Sequence, residues 1–355
     1  EEAWNPSVRV KGMRNCDSAR EYLAHMLDEE RHFEIVIGIA GLIATTIALV
    51  LCGCVVGAHV KPRHPRYWDS GGCNPFDDNF FFEKDVTDEL RAPIQRLLDM
   101  TTKPECMGVG RDGAWATHKG FRVLRVTRIE NGPLWSDFAR TRRAITPTQR
   151  RLREMPDGLR RHTESALQAV GKVHAAREAD DAVKAFVTSL RLDEYRNERL
   201  LFHGSPSMGA RHSSGEVLFH TEDCAPAYAI KHSGFDDRLG SVRGMLGSGT
   251  YFADMASKAD QYSGRYGLPT QGSVGEKATM FLSRVVLGCP YLTTQSLEQL
   301  RRPPCVQGHF DLSLFWNEDV LLGKPWREKG LPLRICNHPR FDSIISDLSV
   351  DGHRR

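Results

Sequence analysis

The longest uncharged stretch of the chain is residues 35–58, IVIGIAGLIATTIALVLCGCVVGA. A helix needs roughly 20 apolar residues to cross the hydrocarbon core of a bilayer, and irregular backbone cannot face lipid. The run therefore predicts a transmembrane helix. Phe33 before it and Tyr67 and Trp68 after it suit the two interfaces. Lys61, Arg63 and Arg66 crowd its C-terminal flank, which places the larger C-terminal part on the inner side. Ala40, Ala44 and Ala48 recur at a helical spacing, as do Gly53 and Gly57, so other membrane helices are expected to pack closely against this one. Upstream, DSAREYLAHMLDEERHF offers Asp17 as an N-cap and an apolar face of Tyr22, Leu23, Met26 and Leu27.

Past the run the pattern changes. Residues 61–82 are rich in Pro, Gly and turn formers and predict a linker ending in an aromatic cluster. DVTDELRAPIQRLLDM has apolar residues at helical spacing, with Asp85 or Thr87 able to cap it. GFRVLRVTRIEN alternates and predicts a strand. NGPLWSDFARTRRAI restarts as a helix with Pro133 in its first turn. TESALQAVGKVHAAREADDAVKAFVTSL predicts one long amphipathic helix, and ATMFLSRVVLGCPYL a buried strand. The expected organisation is a segment at 1–34, a membrane helix at 35–58, a linker at 59–84 and a globular domain at 85–355. An Arg-rich helical insertion is expected within that domain at 141–196.

Bulk composition changes this picture little. A length of 355 residues permits a sizeable core, and a net charge of +3 selects no class of partner. Nine cysteines without a Cys-x-x-Cys pair fit free thiols in a reducing compartment better than a disulfide framework or a zinc site, so no metal is expected. Between Arg140 and Arg161 there are eight arginines against Glu154 and Asp157. Such a cluster can face a partner, an anionic lipid surface or nucleic acid. With few aromatics among the arginines for base stacking, nucleic acid is the least favoured of the three.

After residue 197 the glycines cluster. Gly240, Gly244, Gly247 and Gly249 precede Tyr251, a density that lets backbone approach a flat or phosphate-bearing ligand. They match neither the phosphate loop of a Walker motif nor a dinucleotide fingerprint. FHGS at 202–205, a frequent chance combination on its own, stands ahead of them.

Taken in order, NERLLFHGS, HSGFDDR, GMLGSGTYFADMASKADQY and MFLSRVVLGCPYL resemble the catalytic domain of the poly(ADP-ribose) polymerases, most of all the tankyrase type. VTRIENGPLWSDFARTRR resembles the strand and helix that open that domain. The resemblance spans roughly 85–355, with insertions near 141–196, 206–226 and 305–337. It implies an α+β, ADP-ribosyltransferase-like fold of packed antiparallel sheets with flanking helices, and NAD as substrate in a cleft between the sheets. By the same resemblance His203 bonds the adenosine-side ribose, and the Gly204 backbone grips the nicotinamide carboxamide with Ser205 beside it. Tyr251 and Tyr262 flank the nicotinamide ring, Lys258 belongs to the active-site wall, and Asp236 to the loop over the adenosine end. His203, Tyr251 and Lys258 are thus the expected catalytic set, and no metal is implied.

The chain departs from that family twice. Three residues before Tyr262, where the family usually has a serine that bonds the carboxamide, stands Ala259, a loss of about 0.5–1.5 kcal/mol. Ser257 is the nearest substitute. The family's catalytic glutamate would fall almost at once after Arg355. The expected function is NAD-dependent, membrane-anchored protein ADP-ribosyl transfer with release of nicotinamide, a protein side chain being the acceptor. The alternative is a catalytically degenerate accessory subunit of a membrane complex, partnered by other membrane helices or subunits. A mitochondrial or other organellar inner membrane fits a chain that opens on Glu1.

Overall fold

A computed structural model describes residues 64–69, 80–104, 119–177, 179–206, 217, 219–240, 244–263, 277–294, 296–297, 300–307 and 338–346. The chain divides into two compact units, Glu1–Lys61 and Pro62–Arg355, and every described residue belongs to the second. The membrane expectation is corrected here. Among the described residues no helix is long and apolar enough to cross a membrane. The 35–58 run and the 17–33 face lie outside those residues. A transmembrane attachment, a single-pass topology and an inner-membrane location thus have no support in the fold.

The architecture is α+β. β1 (Phe81–Asp85) pairs antiparallel with β2 (Thr127–Asn131), and β3 (Glu198–Gly204) antiparallel with β4 (Met280–Val286). The third ladder departs from the expected all-antiparallel set: β5 (Pro290–Thr293) and β6 (Ser343–Ser346) run parallel. The first helix, α1 (Thr87–Met100), starts near where its sequence predicts, but its N-cap is Val86 rather than Asp85 or Thr87, and the Asp85 carboxylate accepts from the Thr87 N–H at 3.0 Å. The Thr87 hydroxyl, and then that backbone bond, hold Asp85 below the usual carboxylate range. α2 (Gly132–Ala144) is capped by Asn131, whose side chain accepts from the Leu134 N–H, and it opens with Pro in its first turn.

Three predicted elements come out differently. The 121–131 strand begins only at Thr127, because side chains of α1 take the backbone before it. The Val123 N–H donates to Gln95 Oε1 and the Val126 N–H to Thr87 Oγ1, each at 2.8 Å. The long 163–190 helix is two helices, α4 (Asp157–Arg177) and α5 (Asp181–Ser189), which follow the short α3 (Thr148–Arg153). Asp180 makes the break: its carboxylate accepts from the Ala182 and Val183 N–H groups and starts a new helix. The 278–292 strand divides into β4 and β5 at Gly288, whose φ of +57° is left-handed.

Two apolar clusters anchor the unit. One joins Leu97 of α1, Val183 of α5, Leu200 and Phe202 of β3, and Ala256 and Ala259 of α7 (Ala256–Asp260). The other joins Leu152, Met155, Cys289, Val306 and Phe341. Val183 is fully buried, so the 141–196 segment supplies part of the core.

Buried charge fixes one end of β3. Glu198 is fully buried and accepts from Arg284 at 2.6 Å, Arg142 at 3.1 Å and the Asp193 N–H at 2.8 Å. Arg284 also donates to the Tyr67 hydroxyl at 3.1 Å and lies 5.2 Å over the Trp135 ring. The 64–69 segment, expected as linker, is thereby seated on the unit. Trp68 packs against Trp135 with ring centres 5.7 Å apart, and the Asp69 carboxylate accepts from Arg128 and Lys84.

Candidate functional site

The opposite end of β3 carries His203 and Gly204. β4 sets their height, with Phe281 opposite His203 and Met280 opposite Gly204. The other edge of the strand is held by the 251–255 segment, where Phe202 and Ala253 exchange N–H to carbonyl bonds of 2.8 Å in both directions. That bridge brings the Tyr251 carbonyl to 2.7 Å from His203 Nδ1. A carbonyl only accepts, so Nδ1 carries the proton and the lone pair of a neutral ring sits on Nε2. Burial pushes the His203 pKa down, opposed by the Tyr251 bond, and so favours the neutral ring.

Two aromatic residues that the sequence reading passed over fix the imidazole. Phe235 meets it edge-on at 4.9 Å and Phe252 lies 5.6 Å away. The local signal for Phe235 was Gly234, whose φ of +80° turns the chain at the end of α6 (Pro226–Ser233). Asp236 caps the short 3₁₀ turn Asp237–Leu239 and is forked to Arg238, which holds its carboxyl down to about 2.

Gly204 lies against α7. A Cβ there would overlap the Ala259 carbonyl oxygen and stand 2.9 Å from its carbon, so glycine is required sterically. The same carbonyl accepts from the Tyr262 N–H at 3.0 Å. β3, the 251–255 segment and the 256–262 turn are therefore joined by backbone contacts. Tyr251 is 39% exposed and Tyr262 54%, enough to offer their rings to a ligand. The Tyr251 hydroxyl donates to the Gly247 carbonyl at 2.6 Å and accepts from the Leu246 N–H at 2.9 Å. Lys258 lies 5.7 Å over the Tyr262 ring and donates to Gln261 at 2.9 Å.

Part of the glycine run makes room for the protein's own groups. A side chain on Gly244 would strike the Tyr251 hydroxyl and ring, and one on Gly247 the Leu300 carbonyl. These glycines admit the protein's own groups, while among the described residues nothing lies within 4 Å of a Cβ at Gly249. Ser205 is buried. Ser257 is also buried, and is committed to the end of α1: its hydroxyl accepts from the Lys103 N–H at 3.3 Å and its N–H donates to Thr101.

A cavity of about 2200 Å³ adjoins this site, lined by Phe121, Trp135, Phe202, Phe235, Phe281 and Arg284 among others. His203, Tyr251 and Tyr262 do not line it. It is also wider than the roughly 300–1,000 Å³ of a typical small-molecule site. Among the described residues no group of three or more His, Cys, Asp or Glu could hold a metal ion.

A family model of the poly(ADP-ribose) polymerase catalytic domain matches residues 206–305. The chain carries a poly(ADP-ribose) polymerase-like catalytic domain. The match contains Asp236, Tyr251, Lys258 and Tyr262, and begins just after His203 and Gly204. NAD as substrate is consistent with a domain of this kind.

Proposed function

We propose that the protein transfers ADP-ribose from NAD to a protein side chain with release of nicotinamide. The observation that carries this reading is the joining of His203, Gly204, Tyr251 and the 256–262 turn through the Phe202–Ala253 bridge and the Ala259 carbonyl. His203 Nε2 accepts from a hydroxyl of the adenosine-side ribose, since Nδ1 is already held by Tyr251. The Gly204 backbone reads the carboxamide, and the rings of Tyr251 and Tyr262 flank the nicotinamide. Lys258 and Asp236 belong to the wall and to the adenosine end of the same site.

In the reaction the bond between ribose C1′ and the nicotinamide nitrogen breaks, and its electron pair leaves with nicotinamide as a neutral ring. The acceptor nucleophile bonds to C1′ and gives up its proton. Held flat by two rings, the departing group keeps C1′ aligned for attack. With Ala259 in place of a hydroxyl, carboxamide recognition rests more heavily on Gly204.

The test uses the purified chain with NAD labelled in its adenine half. Wild type is expected to release nicotinamide and to take up label, and His203→Ala to lose about tenfold in kcat/KM, or ~1.4 kcal/mol. A wild-type chain that releases no nicotinamide and takes up no label would rule out transfer.

A further inference from the structure

Arg177, the last residue of α4, is 6% exposed. Its Nη1 donates to the Leu200 carbonyl at 3.2 Å, and its guanidinium lies 5.9 Å from the centre of the Phe202 ring. Nε and Nη2 are buried and find no hydrogen-bond partner among the described residues. Burial lowers the Arg177 pKa, and the Asp254 carboxylate opposes the shift. Buried donors left unpaired on a charged group are costly. An apolar side chain of similar volume in such a place is often neutral or stabilising. Stability of the fold is therefore a poor reason for this arginine.

Its contacts supply a better one. In an antiparallel strand the carbonyls of residues two apart point to the same side. The Leu200 carbonyl thus lies on the edge that Phe202 presents to Ala253, away from β4. One end of the guanidinium holds that carbonyl, and its face covers Phe202. Phe202 is bridged to Ala253, and His203 follows it with Nδ1 on the Tyr251 carbonyl.

We propose that Arg177 is a positioning residue: from the end of α4 it holds Leu200 and Phe202 against the Ala253 bridge and so sets His203 on Tyr251. The proposal rests on the reading of His203 as part of an NAD site. It makes the 141–196 segment a support for the site as well as a part of the core.

The test compares the full chain with its R177M and R177K variants. Thermal melting, NMR titration of the isotope-labelled His203 ring, and kcat and KM for nicotinamide release are measured on each. In R177M the melting temperature should stay within about 2 °C of wild type or rise, since two unpaired donors disappear. The His203 titration should move further down, because the ring loses the Tyr251 carbonyl that holds its pKa up against burial. Turnover should fall about tenfold, with KM for NAD within about twofold, and R177K should recover part of the loss. An unmoved His203 titration in R177M overturns the proposal. So does an R177M chain that fails to fold, or one whose loss of activity tracks a large fall in melting temperature, because either marks a purely structural arginine. If wild type releases no nicotinamide the transfer reading fails, while the His203 titration still decides the role of Arg177.

Discussion

Substituting Gly204 by alanine tests the seat of the candidate site by adding a single methyl group. The strand has no room for it. The new Cβ would overlap the Ala259 carbonyl oxygen, stand 2.9 Å from the Ala259 carbonyl carbon and 3.1 Å from the Ser263 nitrogen. All three are backbone atoms, so no rotamer change relieves the clash. β3 and α7 would have to move apart, and both belong to the apolar cluster around Phe202 and Ala259. Overpacking of a tight site costs about 1–3 kcal/mol, and the immobility of backbone puts this one near the upper end. For a domain of this size that is a fall in melting temperature of about 6–10 °C. Scanning calorimetry of G204A beside wild type gives the number directly. Gly249→Ala is the control, since nothing lies within 4 Å of a Cβ there, and it should stay within about 0.5 kcal/mol of wild type. A G204A melting temperature within about 2 °C of wild type would refute the reasoning, because strand and helix could not then be in the contact described.

Two further outcomes follow from charged groups. Glu198→Ala would strand Arg284 and Arg142 beside a cavity, and a cost of about 3–5 kcal/mol is expected in urea titrations. His174 gives a pH dependence. Burial, then Arg177 and Arg199, push its pKa down to about 3, against 6.5 in the unfolded chain. Between those values the unfolded chain binds a proton that the folded one does not, so stability is full above 6.5 and falls as pH drops through the window. At pH 5 the loss is about 2 kcal/mol. His203 adds a smaller loss of the same sign. His174→Gln should flatten most of the slope between pH 6.5 and 5 in chemical-denaturation series, and an unchanged slope would exclude His174 as its source.

The elements that local chemistry fixes were legible in the sequence. α1 and α2 show their apolar spacing, and Asp85 and Pro133 mark their starts within a few residues. What escaped reading depends on distant partners. Gln95 and Thr87 take the backbone that would otherwise extend β2, and nothing near 121–126 announces them. Glu198 looks like a solvated charge at a strand start, and only Arg142 and Arg284, 56 and 86 residues away along the chain, make it an interior one. At the site, His203, Gly204, Tyr251 and Tyr262 were found as a set because the resemblance kept them in order. Phe235 and Phe252 were missed because an aromatic beside a turn has no fixed meaning until its neighbour is known. The glycines were noticed for the right property, close approach, and at Gly244 and Gly247 the protein's own groups come close. The apolar run at 35–58, the strongest one-dimensional signal, lies outside the described residues.

The tethered Tyr251 hydroxyl bears on how a ligand would be met. An exposed tyrosine ordinarily samples several rotamers, and immobilising such a side chain on association costs roughly 0.5–1.5 kcal/mol. Here the Gly247 carbonyl and the Leu246 N–H already restrict the ring, in a space that only a glycine at 244 leaves open. Most of that entropy is surrendered when the chain folds. A planar ligand would therefore find a rigid surface, and loosening the tether, as in Tyr251→Phe, would weaken its affinity even with every aromatic contact kept.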